Sequence, residues 1–345
     1  MRNKIALVLL ILTTLVMVGC SSGDTNYVEN NPDSISSGLS TAELAALIQI
    51  PVLFGVGDTE YVDAQYKSDV IGGTSSLYWI NTTNGSAAKI GDIGYSVNGI
   101  AYDSVTKKLY GITSNLLPGV SGNYKETPFF TGSQLIEINI ATGAGTIIGE
   151  ISLNKDDSNL YFSNPTFNSS GTLFAWNNTD NTLCTIDLTN GMANPVGIPI
   201  FGLSQYFGLA FDNSNVLYLI DGNNKKGAAI GADVYMLDTS GGLASFVKTI
   251  TGLPNDMAYN GDFDPITGKY WGLGTPDYVF DASVKKEYTQ DLLVIDIGNG
   301  TLMNTIPTIN NLRAITFGYV DPITLASNEM VSLCNYLKDL LNPPN

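Results

Sequence analysis

LYWINTTNG, residues 77–85, is an apolar, β-branched and aromatic run that stops at an Asn and a Gly, and it returns four times. LIEINIATG occupies 135–143, LCTIDLTNG 183–191, VYMLDTSGG 234–242 and LLVIDIGNG 292–300. The fifth residue of each phrase is Asn81, Asn139, Asp187, Asp238 or Asp296, at spacings of 48 to 58 residues. That period suits a unit of four short strands and is too long for leucine-rich or helical repeats. Each phrase reads as a strand ending in an Asx and glycine turn, after which a second strand returns, as in Ala87 to Gly91. This is an outer hairpin.

A second phrase lies between the first ones: GIAYDSVTKKLYGI from 99, PTFNSSGTLFAW from 165, GLAFDNSNVLYLI from 208 and GDFDPITGKYWGL from 261. Two strands around an Asp-, Asn-, Ser- and Gly-rich turn make an inner hairpin. Tyr102, Phe167, Phe211 and Phe263 correspond, as do Tyr110, Phe174, Tyr218 and Trp271. Aromatics at matched positions of successive units are expected to pack between the units. The fifth inner hairpin is split between the chain ends: Ala314 to Gly318 matches its first half and Leu53 to Val56 its second. A late strand pairing beside an early one closes the ring and removes exposed edges. The expected fold is therefore all-β, a β-propeller of five blades over residues 40–320. A sixth, degenerate blade in the 114–132 or 275–290 insertion is the alternative.

The two phrases resemble those of bacterial secreted propellers of the YVTN, quinoprotein-dehydrogenase-like class, and the resemblance covers about residues 52–318. It implies the fold. That class holds binding proteins, scaffolds and enzymes alike. In blade number the chain is also similar to five-bladed lectins and glycosidases, with no motif of either carried over.

Flanking segments read differently. Arg2 and Lys4 precede an apolar run, Ile5 to Val18, that ends at Gly19-Cys20, the order of a secretory signal and too short for a comfortable membrane span. The pattern resembles the bacterial lipoprotein signal, which implies removal of residues 1–19 and acylation, palmitate included, at Cys20. Ser21 follows in place of Asp, which by the same resemblance implies the outer membrane. Residues 20–39 are Ser-, Asn-, Asp- and Gly-rich, a flexible tether. Ser40 to Glu43 fits a capping box for a short helix to about Gln49. Residues 321–345 carry Met330, Leu333, Leu337, Leu340 and Leu341 at helical spacing, an expected amphipathic helix.

Of 345 residues, 16 are basic, 32 acidic and none is His, for a net charge of −16. Without Arg2 and Lys4 the charge is −18, and Arg313 is the one arginine left. Nucleic-acid backbone binding is disfavoured, because nothing concentrates the cations that it requires. His-ligated metals and Ser-His-Asp or Cys-His catalysis are excluded. No calcium loop, phosphate loop or nucleophile elbow occurs, so no cofactor and no metal is expected. Cys184 and Cys334 read as small buried hydrophobes; a disulfide between them is the alternative.

In a four-stranded meander the turns joining first to second and third to fourth strands lie at one rim, and all other connections at the opposite rim. The long connections, about 58–75, 114–133, 221–233 and 275–290, with 151–163 and 251–260 between units, all fall on that second rim. Recognition usually resides on such loops. Asn98, Ser163, Phe207, Tyr259 and Arg313 enter the inner strands there; Asp58, Ser114, Asn177, Asp221 and Thr275 leave the second strands. Amides, hydroxyls, carboxylates and rings suit a glycan or peptide, and they suit plain solvation too. Asp262 stands where the repeats place Ala101, Thr166, Ala210 and Thr316, so its carboxylate must be hydrogen-bonded or paired. Arg313 is its expected partner. The functional expectation is a lipid-anchored cell-envelope protein binding a glycan, peptide or envelope protein, touching the membrane through the lipid alone, without catalysis. The alternative is a glycoside hydrolase or polysaccharide lyase drawing its acid and base from Asp58, Asp221, Asp256, Asp262 and Asp277.

Overall fold

Twenty strands and no helix make up the described residues of a computed structural model, which are 50–58, 74–113, 132–153, 160–202, 207–223, 231–253, 261–274, 290–309 and 312–320. The expected helices at 40–49 and 329–341, with the signal, tether, Cys20 and Cys334, lie outside them. By internal contacts Val52–Gly318 forms one unit, and Met1–Pro51 with Tyr319–Asn345 a second.

The strands form antiparallel meanders. β1 (Ile50–Asp58), β2 (Ser75–Ile80) and β3 (Ala87–Asp92) follow one another, and the last strand, β20 (Leu312–Val320), completes their sheet in the order β20-β1-β2-β3. β4 (Val97–Asp103), β5 (Lys108–Thr113), β6 (Gln134–Ile138) and β7 (Gly145–Glu150) form the second meander. The third comprises β8 (Phe162–Phe167), β9 (Leu173–Asn177), β10 (Thr182–Ile186) and β11 (Ala193–Val196). The fourth runs through β12 (Phe207–Phe211), β13 (Leu217–Asn223), β14 (Gly231–Leu237) and β15 (Ala244–Thr251). The fifth has β16 (Asp262–Phe263), β17 (Tyr270–Gly274), β18 (Gln290–Asp296) and β19 (Thr301–Thr308), joined to the fourth by one parallel pair, Thr251 with Thr301. The split inner hairpin is thus observed: residues 53–56 and 314–318 share a sheet.

Asx side chains set the turns, as their positions in the repeats require. Asn81 Oδ1 accepts from Thr83 N at 2.8 Å, Asn139 Oδ1 from Ala141 N at 2.9 Å, Asp187 Oδ1 from Thr189 N at 2.8 Å and Asp238 Oδ1 from Ser240 N at 2.9 Å. Asp296 Oδ1 takes Asn299 N at 3.0 Å. Asp103, Asn168, Asp212 and Asp264 do the same for the inner hairpins. A side chain closed onto its own backbone two or three residues on is an Asx turn. The fifth inner position is Gly318, where no turn follows. A Cβ there would lie 2.8 Å from the rings of Phe54 and Tyr102, so only glycine lets β20 fit between those rings.

Aromatic pairs join the meanders in sequence. Phe54 meets Tyr102 at 6.4 Å between ring centroids, Tyr110 meets Phe167 at 5.4 Å, Phe174 meets Phe211 at 5.3 Å and Tyr218 meets Phe263 at 5.6 Å. The fifth pair, Trp271 with Phe317 at 5.8 Å, returns to the sheet that holds Phe54. The matched aromatics therefore pack between repeats, each pair adding about 0.5–1.5 kcal/mol beyond its buried area. A second circuit runs along the outer strands, where the glycine of each outer turn abuts the preceding meander: Gly143 against Gly91, Gly191 against Glu150, Gly242 against Val196, Gly300 against Lys248 and Gly85 against Pro307. Together these contacts make the architecture β-propeller-like.

Residues entering the third strands stitch neighbours together. Ser75 Oγ accepts from Val97 N and Ser133 Oγ from Phe162 N, both at 3.0 Å. At the equivalent place Gln290 holds Leu312 through both its amide atoms, at 2.9 Å each. Cys184 is a buried free thiol, in keeping with its reading as a small hydrophobe.

Candidate functional site

The strand ends separate the molecule's two rims chemically. One rim carries the nine Asx turns, each tight and closed upon itself. To the other attach residues 59–73, 114–131, 224–230 and 275–289, which join second to third strands, and 154–159, 203–206, 254–260 and 310–311, which lead into inner strands; all lie outside the described residues. The third meander is the exception, turning from β9 to β10 through Asn178 to Asn181 alone.

Of the expected rim residues, Asn98 sits at a bulge between Val97 and Gly99 of β4. Its Nδ2 is buried and finds no hydrogen-bond partner among the described residues. Ser96, two residues earlier and 2% exposed, has an Oγ in the same condition. An enclosed donor without an acceptor costs about 1–3 kcal/mol unless something else satisfies it. Ser163 occupies the equivalent place on β8, and its Oγ accepts from Asn178 Nδ2 at 2.9 Å. Arg313 occupies it on β20, half-buried. Its guanidinium reaches Tyr161 electrostatically: burial pushes the Tyr161 phenol up, and the Arg313 charge works against that rise. β20 and β8 belong to meanders that are not neighbours in the circuit, so these two groups approach from separate sides of the rim.

Other expected residues are committed to the fold. Phe207 is buried edge-on against Trp176, 5.2 Å between centroids, opposite Asp221 in the β12–β13 ladder. Asn177 is fully buried; its Nδ2 donates to Asp180 Oδ2 at 2.9 Å and its Oδ1 accepts from Thr179 N at 2.9 Å. It closes its own turn and presents nothing to a ligand. Asp221 is buried too, paired in register with Asp233. Asp58 opposes Ser75 at the end of β1, its side chain outside the described residues, as are Tyr259, Ser114, Thr275, Asp256 and Asp277.

Asp262 must be moved out of the rim site. Its Oδ2 accepts from Thr316 Oγ1 at 2.8 Å and from Phe317 N at 2.9 Å, and its Oδ1 from Phe263 N at 2.8 Å. Arg313 is not among these partners. It lies three residues before Thr316, roughly 10 Å along an extended strand, so the expected Asp262–Arg313 pair is replaced by a carboxylate held between two inner strands. Burial nevertheless outweighs those three donors and pushes Asp262 up to about 6.

Among the described residues this rim carries donors in the Asn98 amide, the Arg313 guanidinium and the Tyr161 phenol. Such a set answers ligands rich in acceptors, such as hydroxyls, carbonyls and carboxylates. Among the described residues no group of three or more Asp, Glu or Cys is placed to hold a metal ion. Tyr161 and Ser96 were not singled out from the sequence. They share one repeat position, seven residues before Asn168 and Asp103, and extending the alignment two residues outward from the rim position would have found them.

No protein-family model matches the chain, and no curated protein is similar to it. Among solved structures, a protein of unknown function from Bacteroides caccae aligns with a TM-score of 0.43 and 12% identity, over 78% of this chain and 99% of the other. An α-L-arabinofuranosidase from Clostridium thermocellum aligns with a TM-score of 0.45 and 11% identity, over 77% and 94%. At such scores neither bears on what this chain does.

Proposed function

We propose that this chain is a closed five-bladed β-propeller, held by a lipid on Cys20 in the bacterial outer membrane, that binds a glycan, peptide or envelope protein at its donor-rich rim without catalysis. The five-bladed reading is supported by the aromatic pairs, which pass through five meanders and return to the first. The binding reading rests on one observation above the rest: the enclosed Nδ2 of Asn98, without a partner among the described residues, at the repeat position that elsewhere holds Arg313. Asp262, the acid that the repeats made conspicuous, has both oxygens engaged by Thr316, Phe317 and Phe263, which supports a role in joining strands.

The test is binding of the mature chain to arrayed glycans and envelope peptides, with turnover measured on whatever binds. Binding weakened tenfold or more by Asn98→Ala and by Arg313→Ala, with the ligand recovered intact, is the expected result. A cleaved ligand, with cleavage abolished by replacing Asp58, Asp221, Asp256 or Asp277, would overturn the non-catalytic reading. Incorporation of a palmitate analogue, lost in Cys20→Ser, tests the anchor separately.

A further inference from the structure

Asn98 and Arg313 stand at matched places on neighbouring inner strands. Asn98 lies four residues before Tyr102 on β4, and Arg313 four residues before Phe317 on β20. The two strands meet further along, where a Cβ on Gly318 would lie 2.8 Å from the Tyr102 ring. Inner strands meet in phase at other joints too: Thr166 Oγ1 reaches Phe211 N at 3.4 Å and Asp262 Oδ2 reaches Phe317 N at 2.9 Å, one repeat position onward in each case. β8 packs against β4 in turn and carries Tyr161 and Ser163 at the places that match Ser96 and Asn98. Arg313 and Tyr161 therefore flank the entry to β4, near enough across it for the guanidinium charge to act on the phenol.

Between those flanks, Ser96 Oγ and Asn98 Nδ2 are buried with no hydrogen-bond partner among the described residues. β4 bulges here: Val97 pairs with Thr113 and Gly99 with Ile112, which leaves Asn98 over. A bulge re-aims the side chain of its extra residue. On β8 the matching Ser163 is satisfied by Asn178 at 2.9 Å, so the position does not by itself condemn a polar group to isolation. Two enclosed groups that cost stability, kept beside a guanidinium, are accounted for by an acceptor that arrives from outside.

We infer that the entry to β4 is a carboxylate subsite and that the ligand is an acidic sugar, its carboxylate held by Arg313 and accepting from Asn98 Nδ2 and Ser96 Oγ. This rests on the rim-binding reading above and names the ligand class. A guanidinium presents a fork of N–H groups that matches two carboxylate oxygens, which a neutral hydroxyl cannot use in the same way. On a chain of net charge −16 an anion is repelled at long range, so it gains only where a cation and further donors converge. A sugar fits better than a peptide, because no exposed large apolar side chain of the described residues stands at these three strand entries, whereas peptide recognition leans on apolar anchors. Hydroxyls around the acid group find Ser163 and Tyr161 beside them.

Nuclear magnetic resonance titration of the intact protein tests this, with sodium glucuronate, methyl glucoside and N-acetylglycine as probes. The side-chain amide signals of Asn98 should shift saturably with glucuronate, and the other two should bind at least about tenfold more weakly. Arg313→Gln should weaken glucuronate about tenfold. Ser96→Ala should weaken it severalfold without lowering the melting temperature, because the hydroxyl removed has no partner to lose; this variant carries the test if Arg313→Gln does not fold. Equal binding of methyl glucoside would leave the rim a binding site and overturn the carboxylate. Tighter binding of N-acetylglycine would assign the carboxylate to a peptide and overturn the sugar. Asn98 signals unmoved by every probe would overturn the subsite, whereas the rim-binding reading falls only if arrayed glycans and peptides also fail to bind. A lowered melting temperature in Ser96→Ala with glucuronate binding unchanged would place the hydroxyl in the service of the fold and overturn its part in the site.

Discussion

The side-chain amide of Gln290 brackets the backbone of Leu312, Nε2 donating to its carbonyl and Oε1 accepting from its N–H, both at 2.9 Å. A side chain thereby does the work of a neighbouring strand at the entry to β20. Ser75 and Ser133, at the same repeat position, each supply one bond to the corresponding N–H, of Val97 and of Phe162. The joint between the fifth meander and the last strand thus carries the two-pronged version of a device used at two other joints.

From this follows a graded loss. Gln290→Ala strands a buried N–H and a buried carbonyl, at about 2–4 kcal/mol, whereas Ser133→Ala strands one N–H, at about 1–2 kcal/mol. Urea unfolding of both variants measures the difference; equal costs would mean that the second bond contributes nothing.

Gly85 and Gly94 both have positive φ, 73° and 84°, but in different surroundings. A Cβ at Gly85 would overlap the Pro307 carbonyl, while at Gly94 it would meet open space. Gly94→Ala should therefore cost only the left-handed backbone, about 1–2 kcal/mol, and Gly85→Ala should cost clearly more, about 3 kcal/mol or above, by forcing the first and fifth meanders apart. Thermal denaturation of the pair reads this directly.

Repeat arithmetic carried much of the architecture, because an Asx and a glycine at fixed offsets can serve one turn type only, and Asn81, Asp187 and Asp296 all behave alike. Matched aromatics such as Tyr110 and Phe167 were likewise legible as packing. The rim was not. Asn177 and Phe207 have the composition of ligand contacts, but an amide can close its own turn and a ring can fill a core, and spacing does not separate these fates. Asp262 was conspicuous as an acid among small neutral residues, yet its partner was misjudged: register along β20 brings Thr316 and Phe317 to it and leaves Arg313 nearer the rim.

Stability should pass through a maximum in mild acid. Asp262 is raised to about 6, so its contribution is fully present below its unfolded value of 3.8 and is lost as pH climbs through 6. Asp187, Asp238 and Asp296 are depressed by turn hydrogen bonds, for Asp296 chiefly by Lys269; their contribution is present above 3.8 and is lost as pH falls below it. Melting temperature should rise from pH 7.5 to about pH 5 and fall below about pH 4. In Asp262→Asn the first rise should vanish and the acid fall should remain.

Burial pushes the Cys184 thiol up to about 12, and a thiol that stays protonated is a poor nucleophile. Alkylation of Cys184 at pH 8 should be negligible in the folded protein and complete in denaturant, followed by peptide mass. Rapid native labelling would mean that β10 opens far more often than its buried strand neighbours suggest.

A chain ended at Asn311 tests the contribution of the last strand. It keeps β1 but removes the strand beside it, together with Leu312, Thr316 and Phe317, and so strips Gln290 of its partner, Asp262 of two of its three donors and Trp271 of its ring contact. Exposed strand edges and a carboxylate short of two donors are costs the full sheet does not carry, so this chain should lose cooperative unfolding. A synthetic peptide of residues 312–320 added in trans should restore it by entering the open place as a strand. The same peptide with Thr316→Val should bind more weakly, because it offers Asp262 one donor in place of two. Cooperative unfolding without the peptide would mean that the other four meanders hold β1 in place by themselves and that β20 is an accessory to the fold.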